Sequence, residues 1–515
     1  MGRRIALLVT ALCAVLAIAF IVRQGRPVPV ADGPDGKVAC VSYAPYDRHQ
    51  TPFDETLVIP PEQIERDMAV LATFTRCVRT YATGQGLDKV AEIAHRHGLG
   101  VYAGAWIGRK DVDNQAEIAR LIAMANAHPE ALKGLIIGNE VLLRGEQTAA
   151  ALAAYVGQVR AGLDHTIPIT YADVWEFWVE HPELRDAVDF VTVHILPYWE
   201  DDPTSVEEAV THVMAVWREV RDEFAPKPIL IGETGWPSEG RRRQDAEPTL
   251  VNQALFIRGI LTAAHETGAD YNLIEAFDQP WKRELEGTVG GAWGMFDAER
   301  GPKASLTGPV VERSDAFAWL AGGLALGVLP LLVTLVRRET RDPAALGILL
   351  FGGLFSGCVL VLQGWHALDA SRWATEWAVN LGWLAVSVGI AGAGLRLLAG
   401  LPCRVTAVDL RFLSTCAMSV ASLGLLFNSR YRDLPVSMFL IPAVLLALTP
   451  ADGEEGPERR AMALLLAATS LGVLLNEGVL NTHAWLWTAT ALLLAAPTLL
   501  SGAFARAGKT APASA

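Results

Sequence analysis

Apolar residues are distributed very unevenly along this 515-residue chain. Between about residues 38 and 300 they form short strand-like runs, which alternate with stretches in which apolar positions recur every three or four residues, as on one face of a helix. The eight strand-like runs are VACVSYAPY, CVRTYA, GVYAGAWI, GLIIGNE, IPITYADVW, FVTVHILPY, PILIGETGW and YNLIEAFD. Eight strands with intervening helices over about 270 residues predict an α/β fold, the (β/α)8 or TIM barrel.

Longer apolar segments lie on both sides of this region, and they explain why the chain is 51% apolar with a mean hydropathy of +0.27. One segment, residues 5–22, directly follows a basic start, MetGlyArgArg. Seven more follow at about 317–336, 345–365, 376–395, 406–427, 434–448, 460–479 and 484–503. Each is near the length that spans a bilayer, although 434–448 is short and contains two prolines. The pattern predicts an N-terminal transmembrane anchor and a C-terminal polytopic α-helical membrane domain.

These patterns divide the chain into five parts. We expect a signal-anchor transmembrane helix, a Pro/Gly-rich linker, the barrel, a membrane domain of about seven helices and a cytoplasmic tail, at residues 1–24, 25–37, 38–312, 317–503 and 504–515. The first part has the charged start and apolar middle of a secretory signal peptide, but no clear cleavage site follows it. An uncleaved anchor is therefore favoured, with a cleaved signal peptide as the alternative.

Charge predicts which side of the membrane each part occupies. If the barrel lies outside the cytoplasm, the inner loops hold nine basic residues and the outer loops three, as the positive-inside rule requires. The inner set is Arg337, Arg338, Arg341, Arg396, Arg404, Arg459, Arg460, Arg506 and Lys509, and the outer set is Arg372, Arg430 and Arg432. The net charge of −13 comes entirely from residues before 317, which argues against a nucleic-acid partner. We expect a multi-pass protein of the cell (inner) membrane with a periplasmic or otherwise extracytoplasmic barrel.

Two of the six cysteines, Cys40 and Cys77, fall in the expected barrel. If Tyr43 and Arg79 both point inward, the alternation of side chains along a strand puts Cys40 outward and Cys77 inward. A disulfide between them is therefore not expected, although an oxidising compartment would permit one. The cysteines lack metal-ligand spacing, and we expect no metal or other cofactor.

Two motifs place a carboxylate where an apolar strand ends. GLIIGNEVLLRG (134–145) contains Glu140, and KPILIGETGWPSEG (227–240) contains Glu233, followed at once by a turn-forming GlyTrpPro. A single Glu after an apolar run is more often a helix cap or a solvated loop residue. Two such motifs in one barrel instead indicate glycoside chemistry, which needs one carboxyl group as proton donor and another as nucleophile.

The second motif resembles the signature of glycoside hydrolase family 17, the β-1,3-glucanases, and GNEVLLRG resembles the acid/base motif of that family. The resemblance extends from VSYAPY (41–46) to EGTVGGAWGMFDAERGPK (286–303), and it is to the bacterial membrane-anchored type. It implies a retaining β-1,3-glucan-active enzyme in which Glu233 is the nucleophile and Glu140 the general acid/base. The acid must be protonated near neutral pH, so we expect burial or the Glu233 charge to raise the pKa of Glu140.

Further strand-end residues are candidates for the substrate cleft, and Asn139 is expected to bind the sugar 2-hydroxyl. The substrate-binding candidates are Tyr43, Arg79, Tyr81, Trp106, Asn139, Asp173, His194, Tyr198, Trp236, Phe277, Asp278, Trp281 and Lys282. Core packing is an equally good interpretation of each aromatic residue, and a structural hydrogen bond is as good for His194. The run AFDQPWK has Gln279 where plant members have Glu, so an accessory carboxylate is absent at that position.

The sequence leaves hydrolysis and transglycosylation open, because both use the same residues. A membrane tether favours remodelling of glucan that emerges from a membrane synthase, since tethering raises the effective concentration. The alternatives are a non-catalytic β-glucan receptor coupled to the membrane domain, and a cellulase or mannanase in a related barrel. Polar residues such as Glu376 and Glu477 gather at the expected outer helix ends, either as ordinary interfacial groups or as a functional polar vestibule.

Overall fold

The structure is a computed structural model that describes residues 2–34, 36–303, 305–427, 433–450 and 456–509, the last eight of these as backbone only. Arg430, Arg432 and the end of the expected tail, 510–515, lie outside the described residues. Two compact units are present. The barrel unit comprises Val28–Glu239 and Ala246–Val310, and the helical unit comprises Met1–Pro27, Gly240–Asp245 and Val311–Ala515.

Eight parallel strands close into a barrel, which confirms the predicted TIM fold. In chain order they are β1 Val41–Ser42, β2 Cys77–Arg79, β3 Gly100–Ala105, β4 Leu132–Asn139, β5 Ile169–Val174, β6 Val191–His194, β7 Ile229–Thr234 and β8 Asp270–Leu273. Each is paired with its neighbours in sequence, and β8 closes on β1 through Val41 and Leu273. Every predicted strand-like run overlaps one of these strands, because buried parallel strands need continuous apolar runs.

Helices connect the strands around the outside of the barrel. They are Pro61–Phe74, Val90–Arg96, Asp111–Ala127, Ala149–Gly162, Trp175–Glu180, Val206–Glu223, Leu250–Thr267 and Arg283–Glu286, with short 3₁₀ turns at Leu87–Lys89, Pro129–Ala131, Pro182–Asp186, Pro280–Lys282 and Thr288–Gly291. Two further short strands, Pro27–Val28 and Val310–Val311, pair as a separate ribbon. In Val206–Glu223 the residues Val206, Ala209, Val213, Val216 and Val220 are buried, at the spacing of one helix face.

Cys40 and Cys77 form a disulfide, so the expectation that they do not pair is wrong. The register between β1 and β2 aligns Ser42 with Arg79, and therefore Cys40 with Cys77. Register partners on parallel strands present their side chains to the same face. Tyr43 lies on the opposite face, where its hydroxyl donates to Asp67 Oδ2 at 3.0 Å. The residue that shares the face of Arg79 is Ser42 and not Tyr43. The assumption that Tyr43 and Arg79 both point inward therefore assigned Cys40 to the wrong face.

The Cys40→Ala/Cys77→Ala variant is expected to lose about 3–4 kcal/mol of unfolding free energy, since the bond spans 37 residues and restricts the unfolded chain. Denaturant unfolding of the full chain, followed by the fluorescence of the barrel tryptophans, measures this loss. Addition of a thiol reductant should destabilise the wild type toward the variant and leave the variant unchanged. Cys13→Ala, in the helical unit, is the matched control, and equal stabilities of the double variant and wild type would contradict the prediction.

The helical unit contains eight described helices: Gly2–Gln24, Ala316–Arg337, Pro343–Ala370, Ala374–Ala399, Ala407–Phe427, Val436–Ala447, Pro457–Glu477 and Thr482–Lys509. Seven of them are long and apolar enough to cross a membrane. The exception is Val436–Ala447, whose 12 residues correspond to the segment that the sequence marks as short. By length and composition, the chain therefore has the helices that its hydrophobic pattern predicts.

The N-terminal helix packs inside this unit against Pro343–Ala370. Ala6, Ala14 and Ile21 are buried, and Thr10 is buried close to Gly352. Pro343–Ala370 also crosses Ala316–Arg337 at glycines that leave no space for a side chain: Gly323, Gly327, Gly353 and Gly357. Close backbone approach at small residues is the packing that transmembrane helices favour.

Candidate active site

The ends of four strands bring a polar cluster together at one face of the barrel. Arg79 ends β2, Glu140 follows β4, His194 ends β6, and Glu233 is the next-to-last residue of β7. Single ligand atoms of Glu140, His194 and Glu233 all lie within 4.8 Å of one another. The carboxyl ends of parallel barrel strands meet at one face, so residues that are up to 154 positions apart in sequence become neighbours.

Glu233 is almost completely buried, and two donors hold its Oε1 atom. Arg79 Nη1 donates to it at 3.2 Å and the Tyr81 hydroxyl donates at 2.8 Å. The same Arg79 side chain donates to the Gly232 carbonyl at 2.7 Å and to Asn139 Oδ1 at 2.5 Å. Charge-assisted bonds from a rigid guanidinium fix the orientation of the carboxylate.

The backbone around Glu140 has an unusual conformation. Glu140 itself has φ +51° and Gly138 has φ +87°, both in the left-handed region. A glycine tolerates this region, but for a glutamate it costs roughly 1–2 kcal/mol. The Glu140 N–H donates to the Ala172 carbonyl at 2.8 Å, which holds the strained residue at the end of β4. Such strain is typical of functional positions and aims the Glu140 side chain across the barrel mouth.

His194 connects the two carboxylates. Its Nδ1 lies 2.9 Å from Glu140 Oε1, and its Nε2 lies 3.6 Å from Glu233 Oε1 and 3.3 Å from Arg79 Nη1. Because Arg79 only donates, Nε2 is the acceptor, and Nδ1 carries the proton that it donates to Glu140. The spacing of Glu140, His194 and Glu233 would also suit a metal ion, but the Arg79 charge between His194 and Glu233 opposes a cation there.

The pKa of Glu140 is lowered, which corrects the expectation that it is raised. Burial raises this pKa, but the hydrogen bond from His194 and the positive charges of Arg144 and Arg79 outweigh it. The side chain is therefore in its base form in the unliganded site. A raised pKa could not be inferred from the strand pattern, because it depends on which side chains other strands supply.

Lys282 lies in a second charged cluster next to the first. Its Nζ contacts both oxygens of Glu275 at 2.9 Å, and its charge also acts on Glu233 and Glu286. Burial raises the pKa of Glu275 to about 7, against the opposing effect of Lys282. Gln279 is buried and donates to the Ala44 carbonyl, so the carboxylate that binds Lys282 comes from Glu275 instead.

Trp106 is the most accessible aromatic candidate, with 44% of its surface exposed. The Arg144 guanidinium lies 4.4 Å from its ring centroid, and Arg144 also donates to the carbonyls of Asn139 and Ile107. Arg144 thus ties Trp106 to the strand end that carries Glu140. An aromatic ring with an exposed face beside a carboxylate is suited to contact a sugar.

Several predicted cleft residues are instead packed inside the barrel unit. Tyr43 and Phe277 are fully buried against each other, with ring centroids 6.2 Å apart. Tyr198 and Trp236 are also buried in contact, and Trp236 Nε1 donates to the Glu247 carbonyl. For these four aromatic residues the contacts are those of core packing.

The polar candidates Asp173 and Asp278 also bind neighbouring protein groups. Asp173 accepts from the Leu142 N–H at 3.1 Å and supports the turn after Glu140. Asp278 accepts from Lys303 Nζ at 2.6 Å and from the Gly294 N–H at 2.8 Å. Trp281 is partly buried, and its Nε1 donates to Gln279. The polar groups of these three residues are therefore bonded to other protein groups.

Sequence reasoning missed four contributors to the site: Ser42, Arg144, Asn272 and Glu275. Ser42 Oγ lies 2.8 Å from the Tyr81 hydroxyl and accepts from Asn272 Nδ2 at 2.7 Å. Of these four, only Glu275 could have been recognised from the sequence. It follows the apolar residues of β8 in the same way that Glu233 follows the apolar residues of β7. The others become recognisable only when the strand register is known.

Comparison with known proteins identifies relatives of the barrel domain. Residues 40–294 match the family model described as the BtgE/BtgC glycoside hydrolase domain. A probable glucan endo-1,3-beta-glucosidase btgC of Aspergillus flavus is 29% identical over 287 residues, which cover 49% of this chain and 41% of that protein. A glucan 1,3-beta-glucosidase of Schizosaccharomyces pombe is 27% identical over 42% of this chain and 72% of its own length. The chain thus spans about two fifths of the btgC proteins that it matches.

Solved structures with a similar barrel include a glycoside hydrolase family 17 beta-1,3-glucanosyltransferase from Rhizomucor miehei. It is 27% identical, with a TM-score of 0.47, over 54% of this chain and 98% of that one. An endo-laminarinase from Formosa is 22% identical, with a TM-score of 0.44, over 52% and 86% of the two chains. The family model and the curated relatives, together with the strand-end motifs, identify the barrel domain of this chain as a member of glycoside hydrolase family 17.

Proposed function

We propose that this chain is a retaining glycoside hydrolase or transglycosylase that acts on β-1,3-glucan. The observation that carries the proposal is the pair of carboxylates, Glu140 and Glu233, with oxygens within 4.8 Å of each other and each held by its own donors. Retaining enzymes have carboxyl groups about 5–5.5 Å apart, whereas inverting enzymes leave about 6.5–9.5 Å for a water molecule. The short separation supports direct attack on the sugar.

In the first half of the reaction, Glu233 attacks the anomeric carbon. A bond forms between that carbon and a Glu233 oxygen, the glycosidic bond breaks, and the leaving sugar oxygen takes a proton from Glu140. Arg79 and Tyr81 orient Glu233 for this attack. Asn139, held by Arg79 at its Oδ1, keeps its amide N–H₂ available for the 2-hydroxyl of the sugar.

In the second half, Glu140 takes a proton from the incoming hydroxyl group. That oxygen attacks the anomeric carbon, and the bond to Glu233 breaks, so the configuration is retained. The lowered pKa of Glu140 in the unliganded site suits this base role. For the acid role, a bound sugar excludes water around Glu140, and the negative charge of Glu233 opposes a second charge beside it, so protonation becomes easier.

The acceptor in the second half decides between hydrolysis and transfer. Trp106 lies beside Glu140 through Arg144. In the proposed mechanism the leaving group departs, and the acceptor enters, on the side of the acid/base. Its exposed face supports sugar binding there in competition with water. We therefore favour glucan remodelling, by transfer or branching, over simple degradation, with a membrane glucan synthase as the partner that supplies the chain.

The helical unit supports a membrane location for this activity. The N-terminal helix packs against Pro343–Ala370 through buried residues, as expected of a retained anchor rather than a cleaved signal. The Cys40–Cys77 disulfide supports an oxidising compartment for the barrel, since disulfides are rare in the cytosol. We propose a multi-pass membrane protein with an extracytoplasmic catalytic domain.

Product analysis tests the function directly. The purified full chain in detergent is incubated with end-labelled laminari-oligosaccharides, and the products are sized by mass spectrometry. We expect both shorter and longer products, which is the result of transfer. Only shorter products would indicate hydrolysis, and binding without any product would favour the non-catalytic receptor.

A Trp106→Ala variant tests the acceptor site in the same assay. We expect the ratio of transfer to hydrolysis to fall about two- to twelvefold, which corresponds to the loss of one aromatic contact of about 0.5–1.5 kcal/mol. Trp373→Ala in the helical unit is the matched control, because Trp373 has a similar exposed fraction of 46%. An unchanged ratio in Trp106→Ala would remove Trp106 from the acceptor site.

A further inference from the structure

Residues 240–245, GlyArgArgArgGlnAsp, belong by their contacts to the helical unit, although Glu239 and Ala246 on either side belong to the barrel unit. The segment lies in the connection between β7 and the helix Leu250–Thr267, and it begins seven residues after Glu233. Six residues of this connection are therefore assigned to the helical unit, and the chain on both sides of them is assigned to the barrel unit.

A buried ion pair holds this segment within the helical unit. Arg241 Nη2 lies 2.5 Å from Glu477 Oε1, and Arg241 Nε lies 3.2 Å from Glu477 Oε2. The Glu477 side chain is 1% exposed and the Arg241 side chain 12% exposed. A bidentate ion pair of this kind fixes both the separation and the relative orientation of the two side chains, because the guanidinium is planar and rigid.

Neighbouring groups complete the attachment. Asn481 Nδ2 donates to Glu477 Oε2 at 3.2 Å and to the Arg242 carbonyl at 3.0 Å. Arg242 in turn donates to the Gln244 carbonyl at 3.0 Å and pairs with Asp245. The segment is therefore stabilised by its own Arg242–Asp245 pair. It is bound to the helical unit through Glu477 and Asn481, at the junction of the helices Pro457–Glu477 and Thr482–Lys509.

The residues that directly follow Glu233 are anchored independently within the barrel unit. Trp236 Nε1 donates to the Glu247 carbonyl at 3.0 Å, Gln253 Nε2 donates to the Trp236 carbonyl at 3.0 Å, and the Ser238 N–H donates to the Ala292 carbonyl at 2.8 Å. Release of residues 240–245 would leave these bonds intact. Release of the segment would instead remove the constraint on Glu239, the residue that immediately precedes it.

Glu239 forms part of the wall of a cavity of about 150 Å³. Asp278, Pro280 and Arg283 line the same cavity. The short turn and helix at 280–286 also carry Lys282 and Glu286, whose charges interact with Glu233. Glu239, the residue directly before the segment, thus lines a cavity together with residues of the turn and helix that carry Lys282 and Glu286.

We propose that Arg241 is a positioning residue, and that its ion pair with Glu477 sets the course of the loop after the nucleophile and thereby the affinity of the barrel for glucan. The inference rests on the proposed function and adds a role for the helical unit in substrate binding. Because Glu233 keeps its own anchors, loss of the pair acts on binding and spares the chemical step.

The test compares Arg241→Ala and Glu477→Gln with the wild type as full chains in lipid nanodiscs, with laminari-oligosaccharides as substrate. We expect KM to rise fivefold or more in both variants, while kcat stays within twofold. The exchanged pair, Arg241→Glu with Glu477→Arg, should recover at least half of the lost affinity. Arg372→Ala, which breaks the Arg372–Glu376 pair elsewhere in the helical unit, is the control and should leave KM unchanged.

A purely structural role would lower the unfolding temperature and leave KM unchanged in the folded protein. That result in both Arg241→Ala and Glu477→Gln, or an equal rise of KM in Arg372→Ala, would overturn the inference. If Arg241→Ala does not fold, Arg241→Lys and Glu477→Gln provide the comparison. The same ratios are obtained as dissociation constants in a Glu233→Gln background, so the inference is tested separately from turnover itself.

Discussion

Glu233→Gln is expected to abolish turnover of every β-1,3-glucan substrate, by a factor on the order of 10⁶, the scale seen when a covalent nucleophile is removed. The glutamine amide keeps the size of the side chain but cannot form the glycosyl-enzyme bond. The donors Arg79 and Tyr81 remain in place, so the site should still bind substrate. Initial rates on laminari-oligosaccharides, with calorimetric binding as a check on folding, measure both parts.

Glu140→Gln should differ in kind from Glu233→Gln. Loss of the general acid slows cleavage of natural glucan by about 10²–10⁴-fold, yet formation of the glycosyl-enzyme persists with an activated leaving group that needs no proton. A burst of released leaving group followed by slow turnover is the expected trace. The contact from His194 Nδ1 to Glu140 Oε1 can be kept by the amide oxygen, so the variant should fold normally.

Azide separates the two roles further. It should rescue Glu140→Ala with an activated substrate and yield a glycosyl azide of retained configuration, because Glu233 is still the nucleophile. Failure of this rescue, together with rescue of Glu233→Ala with retention, would show that the two assignments are wrong.

Arg79→Lys is expected to lower kcat/KM by about 10²–10³-fold, the range for loss of one preorganised charged donor. Arg79 is fully buried and reaches Glu233, Asn139 and the Gly232 carbonyl at once. A lysine ammonium has a single nitrogen atom and cannot span these acceptors in the guanidinium geometry. The nucleophile would lose its orientation, and Asn139 would lose the contact that aims its amide.

Arg79→Ala should in addition lower the unfolding free energy by about 3–5 kcal/mol, because it leaves a buried carboxylate without its partner. The matched control is Arg258→Lys, which also removes a buried guanidinium from the barrel unit. Arg258 donates to the carbonyls of Ser305, Val30 and Gly308 and has no contact with the catalytic pair among the described residues. It should lose stability while kcat/KM stays within twofold, and a comparable loss of activity in both lysine variants would contradict the role of Arg79.

The topology of the barrel, and the meeting of Glu140 and Glu233 at one of its faces, could be predicted from the sequence. The eight apolar runs each overlap a strand, and Glu140 and Glu233 each lie near the carboxyl end of one of these runs. Since parallel barrel strands present their carboxyl ends at one face, order along the chain was enough to bring the two together. His194 and Arg79 were predicted in the same way, from their positions at the ends of apolar runs, and each is the last residue of its strand.

Register and long-range contacts could not be predicted in this way. The assumption that Tyr43 points inward together with Arg79 placed Tyr43 at the cleft and separated Cys40 from Cys77, whereas Ser42 is the register partner of Arg79 and the side-chain period of a strand is two. The pKa of Glu140 depends on His194 and Arg144, which come from a different strand and from a following turn. Whether Tyr198, Trp236 and Phe277 bind sugar or fill the core was undecided, since packing and stacking use the same residue types.

By itself, the sequence determined the elements, their order and the chemistry at their ends, because these depend on local periodicity and on a topology that puts strand ends together. Only the tertiary structure decided which faces meet, which carboxylate binds Lys282, and that Arg241 pairs with Glu477 across 236 residues of sequence. Those outcomes depend on distances of a few ångströms between segments far apart in the chain. No periodic pattern within either segment encodes such a distance.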